Sequence, residues 1–177
     1  MPAILAIETS AHIGAVALLP DTLQPESAIV EVTRDDSKLS AWVLPAVQRV
    51  LALWRGSTGQ IDAIAFGAGP GSFTGVRTAC ATAQSLAYVW QKPLLAVDSL
   101  EALAQQAMGD DSTQVTVALD ARMGEVYAAS FLCQRTASGV TARRLTPTIA
   151  QSPSSVVLTG STLLLGSGAA LTAAAQP

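Results

Sequence analysis

The chain is 177 residues long, half of them hydrophobic and only 13% charged, against roughly a quarter charged in an average soluble domain; one core or two small lobes both fit this length, and much of the surface is expected to be covered. A net charge of −3 and a pI near 5.0, with ten Lys and Arg scattered along the chain, exclude a basic surface able to grip a phosphate backbone unaided. A single histidine, His12, and two cysteines without CxxC spacing, Cys80 and Cys133, exclude a zinc cluster and read as a turn residue and two small buried hydrophobes.

Ala3 to Ile7 is an apolar run closed by Glu8-Thr9-Ser10, and Ala15 to Leu19 is a second, closed by Pro20-Asp21; two adjacent strands follow. The apolar start has no basic n-region and carries Glu8 and His12, so no signal peptide is expected and the protein is placed in the cytoplasm. Ala28 to Thr33 reads as a third strand. Asp36 to Ser40 offers cap residues for a helix in which Leu44, Val47, Val50, Leu51 and Trp54 share a face, with Pro45 either kinking it or lying in its first turn. Ile61 to Phe66 is predicted as a buried strand, Gly67 to Gly71 as a tight loop, Thr74 to Trp90 as a helix and Leu94 to Val97 as a strand. The order is β-β-β-α-β-α-β. The window from Thr74 to Trp90 is broken by Arg77 and Gln84 and is shorter than the roughly 20 residues of a bilayer span, so no membrane contact is expected.

A related opening recurs further along. Val115 to Leu119 ends in Asp120, and Val126 to Leu132 is a second apolar run; the repeated plan of strand, carboxylate, short turn and strand implies two lobes of similar design, 1–98 and 99–177. Past Pro147 the pattern weakens. Gln151 to Ser155 reads as a polar loop, Thr162 to Gly168 as a short strand entering a Gly-Ser-Gly turn, and Ala169 to Pro177 as an Ala-rich tail. A second lobe built like the first would need a further helix and strand, so the second lobe is expected to be incomplete at its end.

The sharpest local feature is Gly67-Ala68-Gly69-Pro70-Gly71-Ser72-Phe73-Thr74-Gly75-Val76-Arg77, which leaves a strand and enters a helix. Glycines let the backbone approach a ligand closely, and a helix start directs free N–H groups at an anion. The same glycines also serve a tight turn with close helix packing. Gly69, Pro70, Gly71, Ser72, Phe73, Thr74 and Gly75 are therefore either a nucleotide-binding loop or a structural turn, with Ser72 or Thr74 as helix cap. There is no Walker Lys-Ser/Thr pair and no GxGxxG. Glu8 and Asp120 occupy strand ends that in a two-lobed phosphotransferase would hold Mg²⁺ and phosphate. Their neighbours are wrong for that work: Thr9-Ser10 and Ala121-Arg122 stand where phosphate loops need glycine, and Arg122 is expected to fill space or pair with Asp120 or Glu125. With no HExxH, no GxSxG and one histidine, zinc hydrolysis and a Ser-His-Asp triad are both disfavoured. No metal and no cofactor is expected.

Three segments, Ile4-Leu5-Ala6-Ile7-Glu8-Thr9-Ser10, Gly69 to Arg77, and Asp120-Ala121-Arg122-Met123-Gly124-Glu125-Val126-Tyr127, are similar to the hallmark segments of the TsaB family, and the resemblance runs from about residue 3 to residue 132. It implies an α/β protein of the actin-like ATPase (ASKHA) fold, two lobes each with a mixed sheet flanked by helices. It also implies a non-catalytic subunit that acts as scaffold and activator of TsaD, which transfers threonylcarbamoyl to adenosine in tRNA. The resemblance further implies that the small ATPase TsaE joins the pair, that a homodimer is an option open to the isolated chain, and that tRNA is met only through the complex. The family once carried a glycoprotease label, which this sequence does not support. The alternative is an ATPase or kinase of the same fold. The non-catalytic reading makes Glu8, Asp120 and Arg122 vestigial cleft residues. Many members carry a histidine ahead of the Leu44-Pro45 position, where this chain has Ser37-Lys38-Leu39-Ser40, and its last segment is shorter than usual. Family members pair through helices of the first lobe. Here Val76, Ala79, Cys80, Ala83, Leu86, Ala87 and Trp90 read as the inward stripe, and the opposite face of Gly75, Thr78, Thr82, Ser85 and Val89 is covered by the chain's own Trp42 to Trp54 helix, by a partner, or by both; the resemblance implies a partner interface of Leu44, Val47, Leu51, Gly75, Thr78, Thr82, Ser85 and Val89.

Overall fold

The computed structural model describes residues 2–21, 24–35, 38–107, 112–137, 139–158 and 163–176. They fall into two compact units, Met1–Val97 and Asp98–Pro177.

In the first unit, β1 (Ala3–Glu8) and β2 (Gly14–Leu19) each alternate buried and half-buried residues along their length, as period-2 side chains on a sheet with one well-covered face must. They pair antiparallel, and β2 pairs in turn with β3 (Ile29–Thr33). The chain crosses through helix α1 (Leu39–Trp54) to β4 (Ile61–Gly69), which lies parallel to β1, and through α2 (Phe73–Trp90) to the edge strand β5 (Leu94–Asp98). The sheet order is β3-β2-β1-β4-β5.

The core joins Leu5, Ile7, Val16, Leu18, Ile64 and Phe66 of the sheet to Val43, Ala46, Val47 and Val50 of α1 and to Ala79, Ala83 and Ala87 of α2. Alanines four residues apart lie one above the other on a helix, so α2 approaches the sheet closely. The predicted inward stripe of α2 is correct and lacks one member, Gly75, which is also buried.

Several boundaries differ from the sequence reading. The expected capping residues Asp36 and Ser37 lie outside the described residues, and α1 starts after Lys38, which makes no side-chain cap bond. Pro45 sits well inside α1, past its first turn, on the solvent side, where its missing N–H removes one helix bond without disturbing the core. β4 runs on through Gly67 to Gly69, so the tight loop begins three residues later than its glycines suggested.

The second unit is built around the hairpin β6 (Ser112–Arg122) and β7 (Glu125–Thr136). β8 (Gly139–Arg144) and β9 (Ile149–Gln151) both pair antiparallel with β7, and β10 (Leu163–Leu165) pairs parallel with β6. The path β8-β7-β6-β10 repeats the order β3-β2-β1-β4 of the first sheet, with the parallel strand on the same neighbour. Thr162, given to the last strand by the sequence, lies outside the described residues. Gln151 closes β9, and Pro153–Ser155 is a 3-10 turn where a polar loop was expected; the alanine-rich tail forms helix α4 (Ala169–Ala175).

A short helix, α3 (Ser99–Ala104), covers one face of this sheet: Leu100, Ala104 and Ala107 pack on Val115, Val117, Ala129, Phe131 and Cys133. Asp98 anchors it. One carboxylate oxygen accepts the N–H groups of Leu100 and Glu101, each at 2.9 Å, and the other meets Arg144 Nη2 at 2.9 Å while that guanidinium lies over the Phe131 ring. A charge-assisted cap of this kind stabilises a helix of fewer than two turns that could not form alone.

Candidate functional site

The residues that the sequence singled out lie in the loop from Gly69 to Gly75, at the carboxylates Glu8 of the first unit and Asp120 of the second, and on the outer face of α1 and α2.

The loop is seated on the segment that follows β1. Ser10 O accepts the Ser72 N–H at 2.7 Å, and Thr9 Oγ1 donates to Gly75 O at 2.6 Å. Ser72 caps α2, its hydroxyl accepting the Gly75 N–H at 3.4 Å. A Cβ on Gly71 would stand 2.5 Å from Ser10 O, and one on Gly75 would overlap the Thr9 carbonyl oxygen. Two of the loop glycines are thus required by backbone packed on backbone, which accounts for them as a structural turn. Pro70 follows Gly69 at the end of β4. Phe73 and Thr74 open α2 on its exposed side, with Phe73 lying 3.7 Å under the Arg77 guanidinium.

Glu8 closes β1 and reaches across to β4, where a Cβ on Gly67 would run into its carboxylate. Its Oε1 accepts the N–H of Ser10. Asp120 makes the equivalent bond in the second unit: Oδ1 accepts the Arg122 N–H at 2.8 Å, and Arg122 Nη1 lies 3.9 Å from Oδ2. Each carboxylate therefore binds the backbone two residues ahead and stabilises its own turn.

Asp120 does not end its strand. β6 continues to Arg122, with a register shift between Asp120 and Arg122, because the reversal is made one step later by Arg122, Met123 and Gly124, all in the left-handed region. The glycine turn after β10 packs here as the first loop packs on Ser10. Ser167 Oγ accepts the Asp120 N–H at 3.1 Å, and the Gly168 N–H donates to Ala118 O at 2.8 Å.

The α1–α2 face divides the proposed interface residues. Leu44, Ser85 and Val89 are exposed, and Thr78 and Thr82 are half-buried on the side of α2 that faces an open groove of about 430 Å³, which Ser40 of α1 also lines. Val47 and Gly75 are corrections. Val47 is only 2% exposed in the chain's own core, and Gly75 lies against Thr9, so neither is available to a partner. Leu51 is half-buried against the same core. Phe73, which the sequence reading gave to the loop, and Ala81 and Tyr88, which it did not single out, are exposed on this face; Phe73 and Tyr88 are 70% and 79% exposed. The signal was present, since residues 73, 77, 81, 84 and 88 recur at helical spacing opposite the stripe of Ala79, Ala83 and Ala87.

Among the described residues no three His, Cys, Asp or Glu side chains are grouped to hold a metal ion. Burial pushes the Cys133 thiol up, and it donates to Ala104 O at 3.2 Å within the core, the environment of an inert structural cysteine. Purified protein is expected to carry no stoichiometric zinc or iron by elemental analysis; one equivalent surviving dialysis against chelator would contradict this. No helix among the described residues is long and apolar enough to cross a membrane.

The family model described as TsaD, tRNA N6-adenosine threonylcarbamoyltransferase, matches residues 35–158. The tRNA threonylcarbamoyladenosine biosynthesis protein TsaB of Escherichia coli (strain K12) is 40% identical over 139 residues, which is 77% of this chain and 57% of that protein. The chain therefore spans little more than half the length of this relative. Two solved structures from Pseudomonas aeruginosa also match. One, described as YeaZ, has a TM-score of 0.74 at 36% identity, covering 89% of this chain and 70% of its own. The other, an uncharacterized protein with similarity to peptidase YEAZ, has a TM-score of 0.79 at 33% identity, covering 94% and 75%. The paired mixed sheets and these likenesses establish the actin-like fold.

Proposed function

This chain belongs to the TsaB family, and from that premise we propose that it is a non-catalytic, cytoplasmic subunit of the machinery that transfers threonylcarbamoyl to adenosine in tRNA. In this reading it pairs with TsaD as scaffold and activator, is joined by TsaE, and meets tRNA only through the complex. The observation that supports its catalytic silence is the use of both carboxylates within their own turns: Glu8 holds the Ser10 N–H and Asp120 holds the Arg122 N–H. A phosphate loop would direct those N–H groups at the ligand. Here they are already bonded, and the glycines that such loops need stand elsewhere, packed on the Thr9 and Ser10 backbone.

Partner binding falls to the outer face of α1 and α2, now drawn with Leu44, Phe73, Ala81, Ser85, Tyr88 and Val89 and without Val47 or Gly75. Apart from Arg77 its α2 portion is uncharged, a composition that favours protein contact over solvent.

The test is an assay of the chain alone and with its companions. Alone it is expected neither to hydrolyse ATP nor to modify tRNA, with tRNA modification appearing when TsaD, TsaE and the threonylcarbamoyl adenylate are supplied. Turnover by the lone chain that Glu8→Ala or Asp120→Ala abolishes would instead support the ATPase or kinase alternative.

A further inference from the structure

Arg77 is the sole charged residue on α2, and α1 carries only Arg49. Arg49 is paired with Glu31 at 3.1 Å. Arg77 has no such partner among the described residues. Its guanidinium lies 3.7 Å over the Phe73 ring, at the rim of the groove lined by Ser40, Thr74, Thr78 and Thr82. A stacked arginine is held flat with its N–H fork directed outward, the geometry that takes a carboxylate through two bonds. Covering it without an anion would leave a desolvated charge unmatched.

We infer that Arg77 is the charge that selects the partner on this face: it takes an aspartate or glutamate presented by a different protein, and it disfavours a second copy of this chain. The inference rests on the reading of α1–α2 as the partner surface. Its second half follows from inventory, because neither helix contains an acidic residue. A second copy laid helix pair on helix pair would bring two more arginines and no carboxylate from those helices. The face would still permit self-association through its apolar residues, at lower affinity than a partner that supplies the acid.

The experiment measures affinity for purified TsaD from the same organism, and self-association by sedimentation, for the wild type and for Arg77→Glu, Arg77→Gln and Arg77→Lys, each at two salt concentrations. Arg77 is exposed, so all three variants are expected to give wild-type circular dichroism. The expected result is at least about a thirtyfold loss of TsaD affinity in Arg77→Glu, a smaller loss in Arg77→Gln, most affinity kept in Arg77→Lys, and a weaker salt dependence in the glutamine variant than in the wild type. Self-association should be unchanged or strengthened by Arg77→Glu. TsaD affinity within about twofold of wild type in Arg77→Glu, or self-association that this variant weakens as much as TsaD binding, overturns the inference. Ser85→Glu on the same face separates the two levels. If it blocks TsaD while Arg77→Glu does not, only the assignment of Arg77 fails; if neither variant matters, the interface itself is misplaced.

Discussion

Ser85→Glu is expected to abolish association with TsaD while leaving the chain folded. Ser85 is exposed on α2, its hydroxyl donating to Ala81 O at 2.8 Å within its own helix, so it makes no side-chain bond that the fold depends on. Ala81, Tyr88 and Val89 around it are exposed and uncharged. A partner packed closely on such a surface would bury the new carboxylate without a counter-ion, at a cost of about 3–5 kcal/mol, or more than a hundredfold in affinity. The packing face of α2, Ala79, Ala83 and Ala87, lies on the opposite side of the helix. Light scattering, circular dichroism and a TsaD binding assay on one preparation decide the matter. Unchanged assembly would place the interface elsewhere, and loss of the folded signal would mean that Ser85 supports the monomer. Thr82→Arg probes the same face less cleanly, because Thr82 is half-buried beside the groove that α1 shares.

Gly75→Ala should be the most damaging conservative change in the first unit. The added methyl would overlap the Thr9 carbonyl oxygen, and the segment cannot retreat easily, because Thr9 Oγ1 is bonded back to Gly75 O at 2.6 Å and Ser10 O holds the Ser72 N–H. Overpacking against backbone is expected to cost about 3 kcal/mol. Gly124→Ala is the control: its Cβ would meet nothing within 4 Å, so only its left-handed backbone, with φ of +79°, opposes the change, at about 1–2 kcal/mol. Urea denaturation of both variants checks the order, and equal midpoints would remove the case for a rigid junction between the loop and residues 9–10.

The first unit was largely legible because its strands and helices are long enough to show a period, and the order β-β-β-α-β-α-β stands as read. The second unit was legible at its hairpin and at β10, which lies within the short strand read over Thr162 to Gly168. β9 has three residues and α3 six, too few for alternation or helical spacing to rise above chance. Which side chains a helix surrenders to its own sheet was harder still. Val47 and Leu44 are both apolar and three residues apart, yet one is in the core and the other outside; the difference is set by how α1 is rotated against β2 and β3, which lies in contacts remote along the chain. Gly75 went to the wrong side for a related reason. A residue without a side chain gives no pattern of its own, and only the position of Thr9, 66 residues away, shows what it touches.

Gly67 and Gly75 both face an obstruction contributed by the same short stretch, but they leave mutation different ways out. At Gly67 the obstruction is the end of the Glu8 side chain, so a second change that shortens Glu8 removes it, and the two positions can drift together. At Gly75 the obstruction is main chain, which every amino acid at position 9 possesses. No compensating substitution of Thr9 can therefore restore the fit, and a suppressor screen started from Gly75→Ala has only reversion, or a shift of the whole segment, left to find.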